Sequence, residues 1–286
     1  MSRELLLEPV GRLDLPFLLA FLGAHAVPGV EHWDGTIYSR SLLLPAGPAV
    51  VEMRADGDDA THVRARGPGA DDPALVPRLR HLLALDDDDA SAGEHLGGHA
   101  VLRPLVRSRP GVRVPGSADH GELLLRTIVG QQVSVAGART VTGRLVALAG
   151  EALPANLRDV VPGVVSLFPE PAALARLDPA DLPMPRSRGR SVVAVGAALA
   201  ADPDLVLDDD TLLALPGVGP WTAAYIAMRA RRDPDVFLGS DLGVRRQLTA
   251  LGADDSVAVD WAPFRSLAVM HLWAEYLSLT TSRSYS

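Results

Sequence analysis

Cysteine is absent from the 286-residue chain, which removes disulfides, thiolate nucleophiles, cysteine-ligated zinc and iron–sulfur clusters together. Lysine is absent too: all 27 Lys/Arg positions are arginine. No side chain can therefore form a Schiff base, and no phosphate loop of the Gly-Lys-Ser/Thr type exists. No apolar run approaches the ~18 residues of a membrane span. The opening "MSRELLLEPV" has no basic region leading into an apolar one, so no signal peptide is expected. Together these absences lead us to expect a cytoplasmic protein with no membrane partner. Aromatics are scarce, at 5% of residues, so their positions carry weight.

What is present is a globular composition, 48% hydrophobic, long enough for two ordinary domains. The net charge of −8 argues against a nucleic-acid partner at first sight. The charge is unevenly spread. Residues 1–100 hold 16 acids and 8 arginines, including "DDDD" at 86–89, whereas residues 101–286 hold 19 of each. Arginine clusters at 103–113 ("RPLVRSRPGVR") and 184–191 ("MPRSRGRS") are either phosphate contacts or solvated surface.

After a helix over 14–27, the stretches 36–44, 49–55 and 61–67 favour strands, separated by the turn signals "PAGP" and "DGDD". A helix follows at about 72–84. The segment 86–116, rich in Asp, Gly, Pro and Arg, reads as a linker or extended crossover. From Ser117 the chain reads as helical: 118–131, then 134–150 with Ser134 as N-cap, then near 171–177, 187–201, 208–215, 220–232, 241–251 and 261–279. In "EHLGGH" His95 and His99 lie four apart, but two glycines intervene and no third ligand is evident, so zinc is not expected there.

The stretch 215–225, "LPGVGPWTAAY", places two glycines between two helices. Such a turn aims backbone N–H groups and a helix N-terminus outward, which suits an anion and grips a nucleic-acid phosphate without reading sequence. The alternative is an ordinary helix–helix turn. Sixteen residues after Tyr225 comes Asp241 in "DVFLGSDLGVRRQL", opening a helix. Taken alone it is an N-cap. Trp221 and Tyr225, one turn apart on one helix face, form either a pocket wall or core packing.

Hairpin and aspartate together resemble the signature of the helix-hairpin-helix DNA glycosylases, and within them the bacterial DNA-3-methyladenine glycosylase II family. "FLGAHAVPGVE" (21–31), "YSRSL" (38–42), "RPGVRVPG" (109–116), "TIVGQQVSVAGA" (127–138), "DLPMP" (181–185) and "MHLW" (270–273) resemble that family in the same order, over about residues 17–279. The resemblance implies an α+β fold: a small antiparallel-sheet N-terminal domain (1–88), a crossover segment packing with the C-terminal lobe (89–116), a helical domain with the hairpin (117–232) and a C-terminal helical lobe (233–286). It also implies the activity, extrusion of an alkylated base from double-stranded DNA and hydrolysis of its N-glycosidic bond by a monomer associated with the nucleoid. Asp241 would be catalytic, with Trp221, Tyr225, Trp273 and Phe21 walling the base pocket. Gly217, Val218, Gly219 and Thr222 would hold the DNA backbone. No cofactor is required, although the carbonyls of Leu213, Leu215 and Val218 would hold a structural monovalent cation.

The missing lysine implies a monofunctional enzyme, and the missing cysteine excludes the iron–sulfur branch. Two departures stand out. Gln132 occupies the place where the family inserts a leucine wedge, and Leu242 follows Asp241 where an aromatic is usual, with Ala274 after Trp273. Two alternatives stay open: action on a deaminated or oxidised base, with Gln131, Gln132 and Ser134 as pocket donors, or a non-catalytic binder of damaged DNA, against which the retained Asp241 argues.

Overall fold

The computed structural model describes residues 2–56 and 60–283. Its first unit is a five-stranded antiparallel sheet in the order β1-β5-β4-β3-β2, built from β1 (Ser2–Leu7), β2 (Glu31–Trp33), β3 (Tyr38–Leu44), β4 (Gly47–Asp56) and β5 (Ala60–Arg66). The three expected strands are β3, β4 and β5. Residues 57–59 of the "DGDD" turn lie outside the described residues. Not anticipated were β1, an edge strand of alternating exposure, and the three-residue β2.

The central strand shows why the sheet is two-sided. Ala49, Val51 and Met53 of β4 pack with leucines of α1 (Leu15–Ala24) and α2 (Leu75–Leu82). Val50, pointing the other way by the two-residue period of a strand, packs on Leu153, Leu157, Val161 and Val164.

The segment 86–116 is not extended. It forms α3 (Ala90–Gly98) and α4 (Arg103–Ser108), whose Ala92, Leu96, Leu102 and Leu105 join a core with the last helix. Burial supplies the helicity that a run holding three glycines lacks by propensity. The remaining helices are α5 (His120–Val129), α6 (Val135–Ala149), α7 (Ala155–Arg158), α8 (Pro171–Ala175), α9 (Arg186–Ala201), α10 (Asp209–Ala214), α11 (Pro220–Arg229), α12 (Leu242–Ala250) and α13 (Arg265–Arg283). Ser134 caps α6 as expected, its Oγ accepting from Gly137 N at 3.1 Å.

Helix α11 is shared by two cores. Ala223 and Ile226 pack with α5 and α9, while Ala227 and Met228 pack with α12 and α13. Its N-terminus consequently opens at the junction of the helical lobes. Among the described residues no helix is long and apolar enough to cross a membrane.

Candidate active site

The hairpin turn between α10 and α11 has the backbone its glycines foretell. Gly217 sits at φ +80, and a Cβ there would collide with Ser191 Oγ of α9. Gly219 has open space around it and precedes Pro220 at the start of α11. Among the described residues no side chain caps α11, so its first N–H groups are unclaimed by a side-chain cap. Val218 is buried, and its N–H donates to Leu215 O at 3.2 Å. Thr222 is buried as well, with Oγ1 accepting from Gln131 Nε2 at 3.1 Å. The same Gln131 Nε2 donates to Gly217 O at 2.9 Å, tying the loop after α5 to the hairpin. Leu213 is exposed and Leu215 half-buried beside them.

Asp241 both caps a helix and lines a cavity. Its Oδ1 accepts from Val244 N at 3.0 Å, starting α12, and from Trp273 Nε1 of α13, also at 3.0 Å. Among the described residues nothing hydrogen-bonds Oδ2. The half-buried carboxylate thus has one oxygen fixed and one open. Gly243 makes the arrangement fit: a Cβ there would lie 3.2 Å from Asp241 Oδ1 and 3.4 Å from Trp273 Cδ1.

Asp241 lies on a cavity of about 1200 Å³ between the N-terminal unit and the helical lobes. The four expected aromatics all line it. Trp221 and Tyr225 stack at 5.2 Å between ring centroids and 11° between planes. Tyr225 lies 6.1 Å from Trp273, and Trp273 stacks on Phe21 at 6.4 Å. Two further members were not foreseen. His25, four residues after Phe21, packs against that ring at 4.5 Å between centroids, tilted by 33°. Arg229 lies 5.7 Å from the Phe21 centroid and 5.5 Å from that of Tyr225, and donates to Tyr225 Oη at 2.6 Å and to the carbonyls of Pro115 and Gly116 at 2.8 Å. The i, i+4 spacings Phe21–His25 and Tyr225–Arg229 are the signals that would have found them.

The back of the cavity is a buried ion network. Arg40 bonds Glu122 at 2.7 Å and Glu31 at 3.4 Å, and Arg126 bonds both glutamates at 2.9 Å. Burial pushes the Glu31 carboxyl up, yet Arg126 and Arg40 hold it well below the usual carboxylate range. Tyr38 completes the set by donating its hydroxyl to Glu31 at 2.5 Å.

Gln132 is exposed on the cavity rim with φ +60, a left-handed backbone uncommon for a residue with a Cβ. Val133, Val135 and Leu242 are also exposed along that rim. Gln131 and Ser134 are spent on the hairpin and the α6 cap, which leaves Gln132 as the uncommitted member of that trio.

The arginines of 103–113 are divided: Arg103 and Arg107 are exposed, Arg109 is half-buried and Arg113 is buried. Arg103 bonds Gly97 O and Gly98 O, Arg109 bonds Asp14, and Arg113 is buried against the carbonyls of Ala84, Val10 and Arg12. Arg186 and Arg190 are exposed at the start of α9, the helix whose Ser191 underlies the hairpin. His95 donates to or accepts at no metal-like cluster: its Nε2 meets Asp260 O at 3.1 Å, and among the described residues no three His, Asp or Glu side chains gather as ligands.

Residues 7–119 match the model of the AlkA N-terminal domain. The DNA-3-methyladenine glycosylase 2 of Escherichia coli is 33% identical over 273 residues, 91% of this chain and 93% of that protein. The chain belongs to the DNA-3-methyladenine glycosylase 2 family. A probable bifunctional transcriptional activator/DNA repair enzyme AlkA from Mycobacterium tuberculosis is 39% identical over 266 residues, and the chain spans about half of it (53%). In fold the chain resembles a 3-methyladenine DNA-glycosylase from Archaeoglobus fulgidus, with a TM-score of 0.80 at 18% identity over 95% of this chain and 98% of that one. It also resembles an 8-oxoguanine glycosylase/lyase from Clostridium acetobutylicum, with a TM-score of 0.74 at 16% identity over 98% of each. Within the DNA-3-methyladenine glycosylase 2 family, the exposed Gln132 and Leu242 of this chain lie on the cavity rim and Ala274 is buried.

Proposed function

We propose that the protein is a monofunctional DNA N-glycosylase that removes alkylated, 3-methyladenine-type bases from double-stranded DNA. One observation carries this reading: a carboxylate with a free oxygen, Asp241, stands on a cavity walled by Phe21, Trp221, Tyr225 and Trp273. The cavity suits one extruded base, which base-modifying enzymes must take out of the stack.

A purine alkylated at a ring nitrogen is a cation. It stacks on electron-rich rings and departs without prior protonation. When the N-glycosidic bond breaks, its electron pair goes to the base, which leaves neutral. Positive charge then develops on the sugar, where Asp241 Oδ2 stabilises it. Water adds at the anomeric carbon and its proton passes to the carboxylate or to solvent. Trp273 Nε1 and Val244 N–H keep Oδ1 in place throughout, so the carboxylate reorganises little.

The uncapped α11 N-terminus and the turn at Gly217–Gly219 would hold a DNA phosphate, with Arg186 and Arg190 of α9 nearby. Gln132 would enter the space the base leaves. A monovalent cation would bind the carbonyls of Leu213, Leu215 and Val218; neutral carbonyl oxygens suit a hard cation, and Leu215 O keeps one lone pair beyond its bond to Val218 N. With no lysine in the chain, base removal would leave an intact strand at an abasic site. We place this action on nucleoid DNA, by a monomer.

The test is release of free base from methylated duplex by wild type and Asp241→Asn. Asparagine keeps the oxygen that accepts from Trp273 but loses the charge. A drop of at least about a hundredfold, near 2.7 kcal/mol in barrier, is expected, with no strand nick before alkali. Undiminished release by the variant, or none by wild type, would overturn the reading.

A further inference from the structure

We propose that His25 reads the lesion: its Nε2 accepts a hydrogen bond from an N–H group of the extruded base, so the pocket favours alkylated purines that keep an exocyclic amine. The proposal rests on the base-extrusion reading above.

Geometry assigns the tautomer. His25 Nδ1 lies 2.7 Å from Phe21 O, and a carbonyl only accepts, so Nδ1 carries the proton. In a neutral imidazole, Nε2 then holds a bare lone pair. Among the described residues Nε2 has no hydrogen-bond partner, and it is not one of the sealed, unpartnered side-chain atoms. The residue lines the cavity, so the lone pair is open to it.

The ring is neutral at working pH. Burial pushes its pKa down to about 4, against the pull of the Phe21 carbonyl; Arg229 on α11 and Arg126 on α5 add to the depression, and Glu31 on β2 opposes it. A cationic imidazole would repel a cationic base, whereas a neutral acceptor attracts it. Alkylation of a ring nitrogen also polarises the amine N–H bonds, strengthening the donor that Nε2 meets. His25 is held in place by its tilted ring contact with Phe21, which in turn stacks on Trp273, the donor to Asp241. The base reader and the carboxylate therefore share one chain of rings.

Two variants and one spectrum test this. His25→Phe preserves the ring contact and removes the acceptor. His25→Gln restores an acceptor oxygen. Single-turnover release of 3-methyladenine is expected to fall about tenfold in His25→Phe and to recover most of that in His25→Gln. Release by His25→Phe equal to wild type would show that His25 only packs, and would overturn the proposal. Imidazole ¹⁵N shifts of wild type at pH 7 are expected to show protonated Nδ1 and bare Nε2. A proton on Nε2 would overturn it too, whether or not a variant folds. If wild type releases no 3-methyladenine, the activity reading fails, while the spectrum still judges His25 independently.

Discussion

Gly243→Ala should separate stability from chemistry. Gly243 is the second residue of α12 and is buried. Replacing a helical glycine with alanine ordinarily stabilises by about 0.5–1 kcal/mol, because the unfolded chain loses freedom. Here the new methyl would lie 3.2 Å from Asp241 Oδ1, 3.4 Å from Trp273 Cδ1 and 3.5 Å from Tyr276 Cδ1. The carboxylate has to give by a few tenths of an ångström, and its two hydrogen bonds oppose that. Weakening one bond to a charged group costs about 1–2 kcal/mol, which offsets the helix gain. Stability should thus stay within about 1 kcal/mol of wild type, a change in Tm of no more than about 4 °C. The chemical step should suffer more: a misplacement of about 1 Å costs roughly a hundredfold, so a few tenths should cost about fivefold to tenfold. Thermal melts and single-turnover base release on saturating enzyme measure the two effects. A raised Tm with an unchanged rate would refute the claim that Gly243 sets the position of the carboxylate. Equal losses in rate and in affinity for undamaged duplex would place the effect elsewhere.

Gly217→Ala should act on grip instead of chemistry: a left-handed residue with a Cβ costs about 1–2 kcal/mol, and the methyl meets Ser191, so affinity for damaged and intact duplex should fall together in a binding titration while the rate from saturated complex stays near wild type. Acid should destabilise the fold through His271, whose Nδ1 is buried without a partner and whose pKa is lowered to about 4, by burial first and Arg109 second. The unfolded chain takes that proton near pH 6.5, so stability is full above 6.5 and falls towards pH 4 by up to about 3 kcal/mol, at 1.36 kcal/mol per pH unit. His25 has the same sign. Urea melts at pH 7.5, 5.5 and 4.5 should show the slope, and His271→Leu should flatten it.

The hairpin and Asp241 were legible because each is a local demand written in adjacent residues: a glycine where φ is positive, a cap where a helix begins. The 86–116 segment was not, because its helices owe their form to Leu96, Leu102 and Leu105 meeting α13 far along the chain. Two of the arginines at 103–113, Arg109 and Arg113, turn inward for a related reason. Their partners, Asp14, Val10 and Ala84, lie 29 to 103 residues away, and no local pattern announces an internal guanidinium. Phe21 and Trp273 could be named through resemblance, but that Trp273 holds the carboxylate through its indole N–H is visible only in three dimensions.

The buried network behind the cavity bears on how such a molecule can be cut and joined. Glu31 and Arg40 come from the sheet, Glu122 and Arg126 from α5. Removing one side of a buried ion pair commonly costs about 3–5 kcal/mol, since the orphaned charge remains out of water. Excising the sheet together with α1 would strand Glu122 and Arg126 opposite one another, without their counterparts, and would take Phe21 away as well. A chimaera that grafts the helical lobes onto a foreign N-terminal module would have to supply an acid, a base and a ring at the same seam. The sheet behaves less as an appendage to the helices than as the other half of the mould that shapes the cavity.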